Sequence, residues 1–466
     1  MEAIEFHKNR KKKSFSPTRR IAFSFFMVIF IGSLLLTLPI SNQIQGTPYL
    51  DHLFIATSAT CVTGLVSVVV ANQYTLFGQL VIIALIQVGG LGFLTLFNMM
   101  LIAFHKKLSF TNKIVMQEAL NQNSMNEIAV YIKRVIKYTF TFEFIGAILL
   151  SIVFIPEYGV LKGIYYSLFH SISAFCNAGF DVLGSNSLIN YQSNMIINLV
   201  ICGFIIAGGL GFVVWIDLRL SLKNYKKKFK VFQLRRFLSS LSIHTKIVLF
   251  MTILLLFGGA FVILILEFNN PTTLGALSLP DKLLASFFQS TTLRTAGFAS
   301  VDMVTLHDST KLFMSILMFI GGSPAGTAGG IKTVTFAIMI LYILSLVKGN
   351  EHIKVLRRTI SDQIVKRALT IGIVSFFISL IGLFILTITE NKDLIDLVFE
   401  VYSAFATVGL TAGLTPYLTN IGKIVIILLM YIGRIGPMTM VLVFAKRYNQ
   451  MKGKDIQYPS EDVLIG

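Results

Sequence analysis

Apolar residues in this chain do not alternate or follow one helical stripe. They gather into long, nearly charge-free runs, several of about 20 residues, the length that crosses a bilayer as a helix. Basic clusters cut these runs into four blocks: 20–104, 131–222, 244–347 and 365–445. Each block holds two long apolar runs. Between them lies a shorter segment rich in Ser, Thr, Phe and Gly, too short to span and poor in charge. Backbone of that kind is tolerated at membrane depth only where protein packs around it or water lines it.

The short segments are LFIATSATCVTGLVSV (53–68), SLFHSISAFCNAGFDVL (167–183), ASFFQSTTLRTAGFASV (285–301) and EVYSAFATVGLTAG (400–413). They align on Gly64, Gly179, Gly297 and Gly409. An apolar residue follows each glycine, and a small or β-branched residue precedes it. Spacings of about 115, 118 and 112 residues are near-regular, as internal repeats require. A second echo occurs in the later run of each block: QVGGLGF (87–93), IAGGLGF (206–212), IGGSPAG (320–326) and IGRIGPM (432–438). The expected fold is an all-α polytopic membrane protein. Four membrane-pore-membrane repeats surround a pseudo-fourfold axis, giving eight transmembrane helices and four re-entrant pore helices.

Composition agrees. The chain of 466 residues is 55% hydrophobic and 13% charged, with 40 phenylalanines, against about 25% charged residues in a soluble domain. The first run, Ile21–Leu38, lacks a small-residue cleavage site and is expected to be a retained helix. The net charge of +18 would suggest nucleic acid in a soluble protein, but its placement argues for a membrane. HKNRKKK (7–13), HKK (105–107), the basic loop 223–236, KVLRR (354–358) and Lys446–Arg447 alternate with loops poor in Lys and Arg. The positive-inside rule puts the clustered side, including the N-terminus 1–19 and the tail 446–466, in the cytoplasm. The connections 105–130, 223–243 and 348–364 fall on that side too, and the partner implied is the lipid bilayer, not nucleic acid. Cys61, Cys176 and Cys202 form no disulfide framework or zinc spacing.

A ring of four loops puts backbone carbonyls around one axis, and carbonyl oxygens can replace the hydration shell of potassium. Glycine supplies the backbone geometry without a Cβ clash, and pore helices aim their partly negative C-terminal ends at the axis. The glycine loops together with CVTGL, IQVGGLGF, QEALNQ, LFHSISAFCNAGF, SIHTK (242–246), RTAGF and IGRIGP closely resemble the Trk/Ktr/HKT superfamily of potassium transporters, across essentially the whole chain. Among its members, the membrane subunits of bacterial Ktr systems look most similar.

That resemblance implies potassium uptake across the bacterial plasma membrane, with potassium as transported substrate and sodium as an activator left open. It implies a filter in which the carbonyls of Val62, Thr63, Asn177, Ala178, Thr295, Ala296, Thr407 and Val408 surround the ion, with Gly64, Gly179, Gly297 and Gly409 above them. It also implies a homodimer, and an octameric cytosolic ring of RCK/KTN subunits (KtrA- or KtrC-like) that carries the nucleotide. In related plant transporters a serine in the first loop goes with sodium preference, so Gly64 points to potassium.

The stretch GGSPAGTAGG interrupts the third block: Gly321, Gly322, Ser323, Pro324, Ala325, Gly326, Thr327, Ala328, Gly329 and Gly330. It resembles a phosphate loop, but Ile331 stands where a Walker A motif needs glycine before the lysine. No nucleotide is expected on this chain. A polar loop at this depth belongs beneath the filter, and the resemblance implies an intramembrane gate. Lys332 is expected to anchor it.

Intramembrane charges are presumptively functional. The resemblance makes Arg434 an electrostatic barrier below the filter; a brace on loop carbonyls is the alternative. Arg294 is expected to be a structural brace. Glu143 is either a sodium or proton coupling site or a carboxylate hydrogen-bonded between helices. His170 reads as a satisfied packing residue and Glu400 as a brace of its pore helix. Cys61 and Cys176 either pack behind the filter or sense redox state. A sodium-selective or poorly selective transporter is the alternative within the superfamily. A membrane enzyme finds no support, since HExxH and GxSxG are absent.

Overall fold

The computed structural model describes residues 17–92, 95, 128–228, 233–350, 352–356, 358–437 and 439–440. The expectations for the N-terminal cluster, for 105–107, for QEALNQ at 117–122 and for the tail 446–466 lie outside the described residues. Among the described residues the regular structure is helical apart from one small hairpin, Lys354–Val355 with Arg358–Thr359.

Each repeat opens on a long apolar helix: α1 (Pro17–Thr37), α4 (Ile128–Tyr158), α9 (Ile243–Glu267) and α13 (Asp362–Thr389). All four are long and apolar enough to cross a membrane. Their outward rings, such as Phe257, Phe261 and Phe384, stand more than 60% exposed. In water that would be costly; in hydrocarbon it costs nothing. The helices α4 and α13 begin at Ile128 and Asp362.

Each long helix returns into a short one: α2 (Tyr49–Cys61), α5 (Val160–Cys176), α10 (Leu279–Thr292) and α14 (Leu394–Phe405). These are buried along most of their length. The later runs form α3 (Leu76–Leu91), α6 (Met195–Gly209) with α7 (Phe212–Lys228), α11 (Asp308–Phe319) with α12 (Thr333–Val347), and α15 (Asn420–Ile435). Polar N-caps start three of them. Thr75, Asn194 and Thr419 each accept from the backbone amide three residues on, at 3.4, 3.1 and 3.1 Å, satisfying a donor the helix leaves free.

None of these later runs continues as one straight helix through its second glycine motif. α3 stops before Gly92, α6 before Gly211 and α15 before Gly436, all with positive φ (80°, 87° and 99°). After Gly211 the chain turns by 91° into α7. In repeat 3 the break widens into residues 320–332. Among the described residues four helices are long and apolar enough to span, and the bent pair α6 and α7 makes a fifth.

Buried carboxylates tie the ends of the long helices to the later ones. Glu267 is fully buried and accepts from the Asn270 amide and the Thr273 hydroxyl (2.7 Å each) and from the His307 amide (3.0 Å). Glu390 accepts from the Thr419 hydroxyl (2.6 Å) and amide (3.2 Å). On the other face, the SIHTK stretch builds a joint between α7 and α9. Asp217 accepts from Ser242 Oγ at 2.7 Å, from the Ser242 amide at 3.1 Å and from Thr245 Oγ1 at 2.5 Å.

Candidate functional site: four glycine loops and a loop beneath them

The pore helices end alike. The residue after α2 and α5, and the matching residues of the other loops, take left-handed backbone: Val62, Asn177, Thr295 and Thr407, with φ of 57°, 59°, 66° and 54°. Two residues later come Gly64, Gly179, Gly297 and Gly409, again with positive φ (98°, 69°, 78° and 98°). Valine and threonine rarely accept this conformation. Here capping bonds hold them. The Val62, Asn177 and Thr407 amides donate to Ala59, Ala174 and Ala404, each at 3.1 Å. Ser58 and Ser403 then accept from the Gly64 and Gly409 amides at 3.1 Å, while Ser173 donates to the Phe180 carbonyl at 2.7 Å. In the third loop the equivalent Thr291 turns back to Phe287 instead (2.8 Å).

The four glycines close a ring. A Cβ on Gly64 would stand 2.6 Å from the Ala178 carbonyl oxygen, one on Gly179 2.6 Å from that of Ala296, and one on Gly297 2.5 Å from that of Val408. A Cβ on Gly409 would run into the Thr63 carbonyl. Each glycine therefore faces the carbonyl before the glycine of the next repeat, in the order 1, 2, 3, 4 and back to 1. All twelve loop residues singled out in the sequence converge here and are buried. The oxygens near the axis are uncharged. The Thr63, Thr295 and Thr407 hydroxyls have no hydrogen-bond partner among the described residues. Such a set suits a monovalent cation that must enter and also leave.

A cavity of about 790 Å³ lies on one side of the ring, lined by the four glycines with Asp181, Asp302, Asp393 and Asp396. On the other side a cavity of about 390 Å³ is lined by Gly89, Gly90, Gly326, Ala328, Lys332 and Arg434 among others. Four aspartates and Lys392 line the first cavity, and two cations line the second.

The second glycine motif explains itself in contact terms. A Cβ on Gly89, Gly208 or Gly433 would collide with the carbonyl of Thr60, Phe175 or Phe405, the residue four before the loop glycine of its own repeat. The later helices approach their filter loops too closely for any side chain.

Repeat 3 departs. Its loop is pinched at the neck, where the Gly321 amide donates to Ile331 (2.9 Å), the Thr333 amide to Gly322 (3.0 Å), and the Ser323 and Thr333 hydroxyls meet at 3.1 Å. One flank leans on repeat 2: the Ser323 amide donates to Gly209 (2.9 Å), the Thr327 amide to Gly208 (3.3 Å), and the Phe212 amide to Ala325 (2.9 Å). The other flank leans on repeat 4, where a Cβ on Gly329 would come within 3.0 Å of the Ala406 carbonyl and collide with Thr407. Repeats 2 and 4 are opposite in the ring, so the loop crosses beneath it. Gly321 to Gly330 all belong to this one segment.

Arg434 is not a free charge. One terminal nitrogen donates to the Thr327 carbonyl of the loop; the other donates to Gly89 at 2.6 Å and lies 3.4 Å from the Gly90 carbonyl. The brace is thus built, by a side chain that also carries its charge into the lower cavity. Lys332 donates to Ala328 (2.6 Å) and Gly329 (3.4 Å), carbonyls of its own loop.

Two other expectations, for Arg294 and His170, need correction. Arg294 is no hydrogen-bonded side-chain brace, since its Nε and Nη2 have no partner among the described residues. Only its main-chain carbonyl ties loops together, accepting from Asn177 Nδ2 at 3.2 Å. His170 is half satisfied: Nδ1 meets the Tyr166 carbonyl at 2.7 Å, and Nε2 has no partner. Glu143 accepts from Gln87 Nε2 at 3.2 Å, with Cys176 Sγ 3.9 Å from its other oxygen, so it links α4 to α3 behind the second loop. Glu400 accepts from the Thr411 hydroxyl (2.8 Å) and from Thr415, holding the descending chain after the fourth loop. All three cysteines are free and buried.

Sequence reasoning missed two ion pairs that join adjacent repeats. Lys311 of α11 meets Asp396 of α14 at 2.7 Å, and Lys423 of α15 meets Asp51 of α2 at 2.5 Å. The available signal was a lone lysine in the apolar runs of α11 and α15.

Residues 5–456 match the family described as TrkH, cation transport protein. The chain is 43% identical to the Ktr system potassium uptake protein B of Bacillus subtilis, over 97% of each chain. It is 41% identical to the potassium/sodium uptake protein NtpJ of Enterococcus hirae, over 98% of this chain and 99% of that one. Among solved structures, the potassium transporter TrkH of Vibrio parahaemolyticus superposes with a TM-score of 0.69 at 18% identity, covering 93% of this chain and 86% of that one. That likeness bears on the fold.

Proposed function

This chain belongs to the TrkH family of cation transport proteins, a transporter family and not an enzyme family, and we propose that it takes up potassium through the glycine-loop ring, with residues 320–332 as the gate. The observation that carries the reading is the closed ring in which each loop glycine faces the next loop's carbonyl. Uncharged oxygens strip and replace the hydration shell of potassium without holding it too tightly to leave.

The loop beneath supplies the closed state. Its Thr327 carbonyl is latched by Arg434, whose guanidinium also opposes a cation in the lower cavity. At low effective dielectric such repulsion costs several kcal/mol. Asp396 is paired with Lys311, and Asp181, Asp302 and Asp393 outnumber Lys392 around the outer cavity, a net negative lining that raises local cation concentration.

The relative named as a Ktr system protein supports a nucleotide-binding KtrA-type partner, in a cytosolic RCK/KTN ring, which would act on the gate. A homodimer and cytoplasmic termini complete the proposal. The relative named for potassium and sodium favours a second reading, uptake that also admits or needs sodium. Rubidium uptake into proteoliposomes and into potassium-starved cells, with and without sodium, tests both. Rubidium flux that sodium neither inhibits nor stimulates supports the first reading. No rubidium flux refutes potassium uptake.

A further inference from the structure

The position two before the loop glycine holds Val62, Asn177, Thr295 and Thr407, all left-handed. Left-handed backbone favours asparagine, yet valine and threonine serve at the same position in the other loops, so the backbone does not require the amide. Its amide does. Asn177 is fully buried, and its side chain meets two other segments. Nδ2 donates to the Arg294 carbonyl of the next filter loop at 3.2 Å. Oδ1 lies 3.4 Å from the Thr327 hydroxyl of the gate loop, which also donates to the Phe175 carbonyl at 3.1 Å. Among the described residues no other gate-loop side chain bonds to a filter loop. Gly208 makes the meeting possible: a Cβ there would stand 2.7 Å from the Thr327 hydroxyl and 2.9 Å from Asn177 Oδ1.

We propose that Asn177 is a positioning residue that couples the gate to ion selection. With Thr327 docked, one hydroxyl proton is shared between the Phe175 carbonyl and Asn177, and the amide holds the second and third loops in register. When the gate loop leaves, both acceptors lose their donor inside a buried site. A buried acceptor without a partner is costly, so the Asn177 amide re-orients and the Arg294 carbonyl is released. Only two of the four loops change. This differential contact is what a gate needs if it is to alter the filter as well as block it. The ion preference of the pore therefore depends on whether the gate is docked.

The coupling rests on the transport reading above, and the test separates the two. Because a docked gate passes no ions, rubidium binding is measured against competing sodium on the purified full chain, and rubidium uptake into proteoliposomes is measured beside it. The variants are Thr327→Val, which keeps shape and removes the donor, Thr327→Ser, which restores it, Asn177→Thr, and the double Thr327→Val/Asn177→Thr. Each donor-removing or amide-removing single variant is expected to shift the rubidium-to-sodium ratio by about 2- to 10-fold, the worth of one hydrogen bond. The double variant should shift it no further, and Thr327→Ser should keep the wild-type ratio. Additive shifts overturn the proposal, as does a Thr327→Val variant that binds the two ions in the wild-type ratio. The Thr327 pair alone decides the matter if Asn177→Thr does not insert, because it leaves the filter loops untouched. Wild-type vesicles without rubidium uptake would refute the transport reading itself, and the coupling with it.

Discussion

At the glycine loops the four repeats are nearly interchangeable; one helix further along, they are not. The loops share left-handed residues at Val62, Asn177, Thr295 and Thr407 and one contact rule around the ring. In the later helices three repeats break at a single glycine, one of them with a 91° turn, and the third opens into a loop that crosses under the ring. Coordination of a spherical ion rewards equivalent ligands from every side. A gate needs the opposite: one element that can leave while the others stay. Two states require a part whose contacts differ between them, and fourfold copies of such a loop would collide on the axis.

The strongest way to break this contrast is to remove the odd element. Deleting about six residues within Ser323–Gly330 leaves the packed helices α11 and α12 in place. Rubidium flux is expected to rise more than about tenfold, since each 1.4 kcal/mol of lost closed-state preference is a factor of ten. It should also stop responding to the cytosolic partner in ATP or ADP. A full nucleotide response in the deletion would put the gate elsewhere.

Next in size is damage to the symmetric level. Gly297→Ser puts a Cβ 2.5 Å from the Val408 carbonyl at φ 78°, and Gly64→Ser puts one 2.6 Å from Ala178 at φ 98°. Strain of this kind costs about 1–3 kcal/mol. The potassium KM should rise about tenfold, or sodium should enter, while the protein still inserts. Unchanged potassium preference in both variants would sink the filter assignment.

Arg434 sharpens the comparison because it links the levels through Thr327, Gly89 and Gly90. Arg434→Ala and Arg434→Gln should raise flux several-fold, less than the loop deletion. Arg434→Lys keeps the charge but cannot span both carbonyl sets, so its flux should fall between wild type and Arg434→Ala. Flux of Arg434→Lys equal to wild type would mean that charge alone restrains the ion.

The smallest effect concerns the joint after the 91° turn. Asp217 accepts from the Ser242 hydroxyl and amide and from the Thr245 hydroxyl. Asp217→Asn keeps the shape but replaces charge-assisted hydrogen bonds with weaker neutral ones, so it should lower the melting temperature of the detergent-solubilised protein slightly. An unchanged melting temperature would assign the joint to packing instead.

The repeat, the loop glycines and the odd third block were all legible in the sequence. Each rests on a local rule: run length decides what spans, and glycine marks where the backbone turns sharply or another chain comes close. Gly89, Gly208 and Gly433 were visible as an echo, though not the carbonyls they touch. Left-handed backbone at Val62 or Thr407 left no mark, because nothing local favours it there. The partners of Arg434 lie 107 and 345 residues away, and those of Glu143 and Lys423 belong to other repeats.

The sequence by itself determined a membrane chain of four repeats, each with a glycine loop, and one repeat carrying an insertion at membrane depth. Those properties follow from hydrophobicity and backbone freedom, which act residue by residue. Only the tertiary structure decided the order of the loops around the ring, the crossing of residues 320–332 beneath it, and the meeting of Thr327, Asn177 and Arg434. Such contacts depend on how buried helices pack, and long-range packing leaves no period in the sequence that produces it.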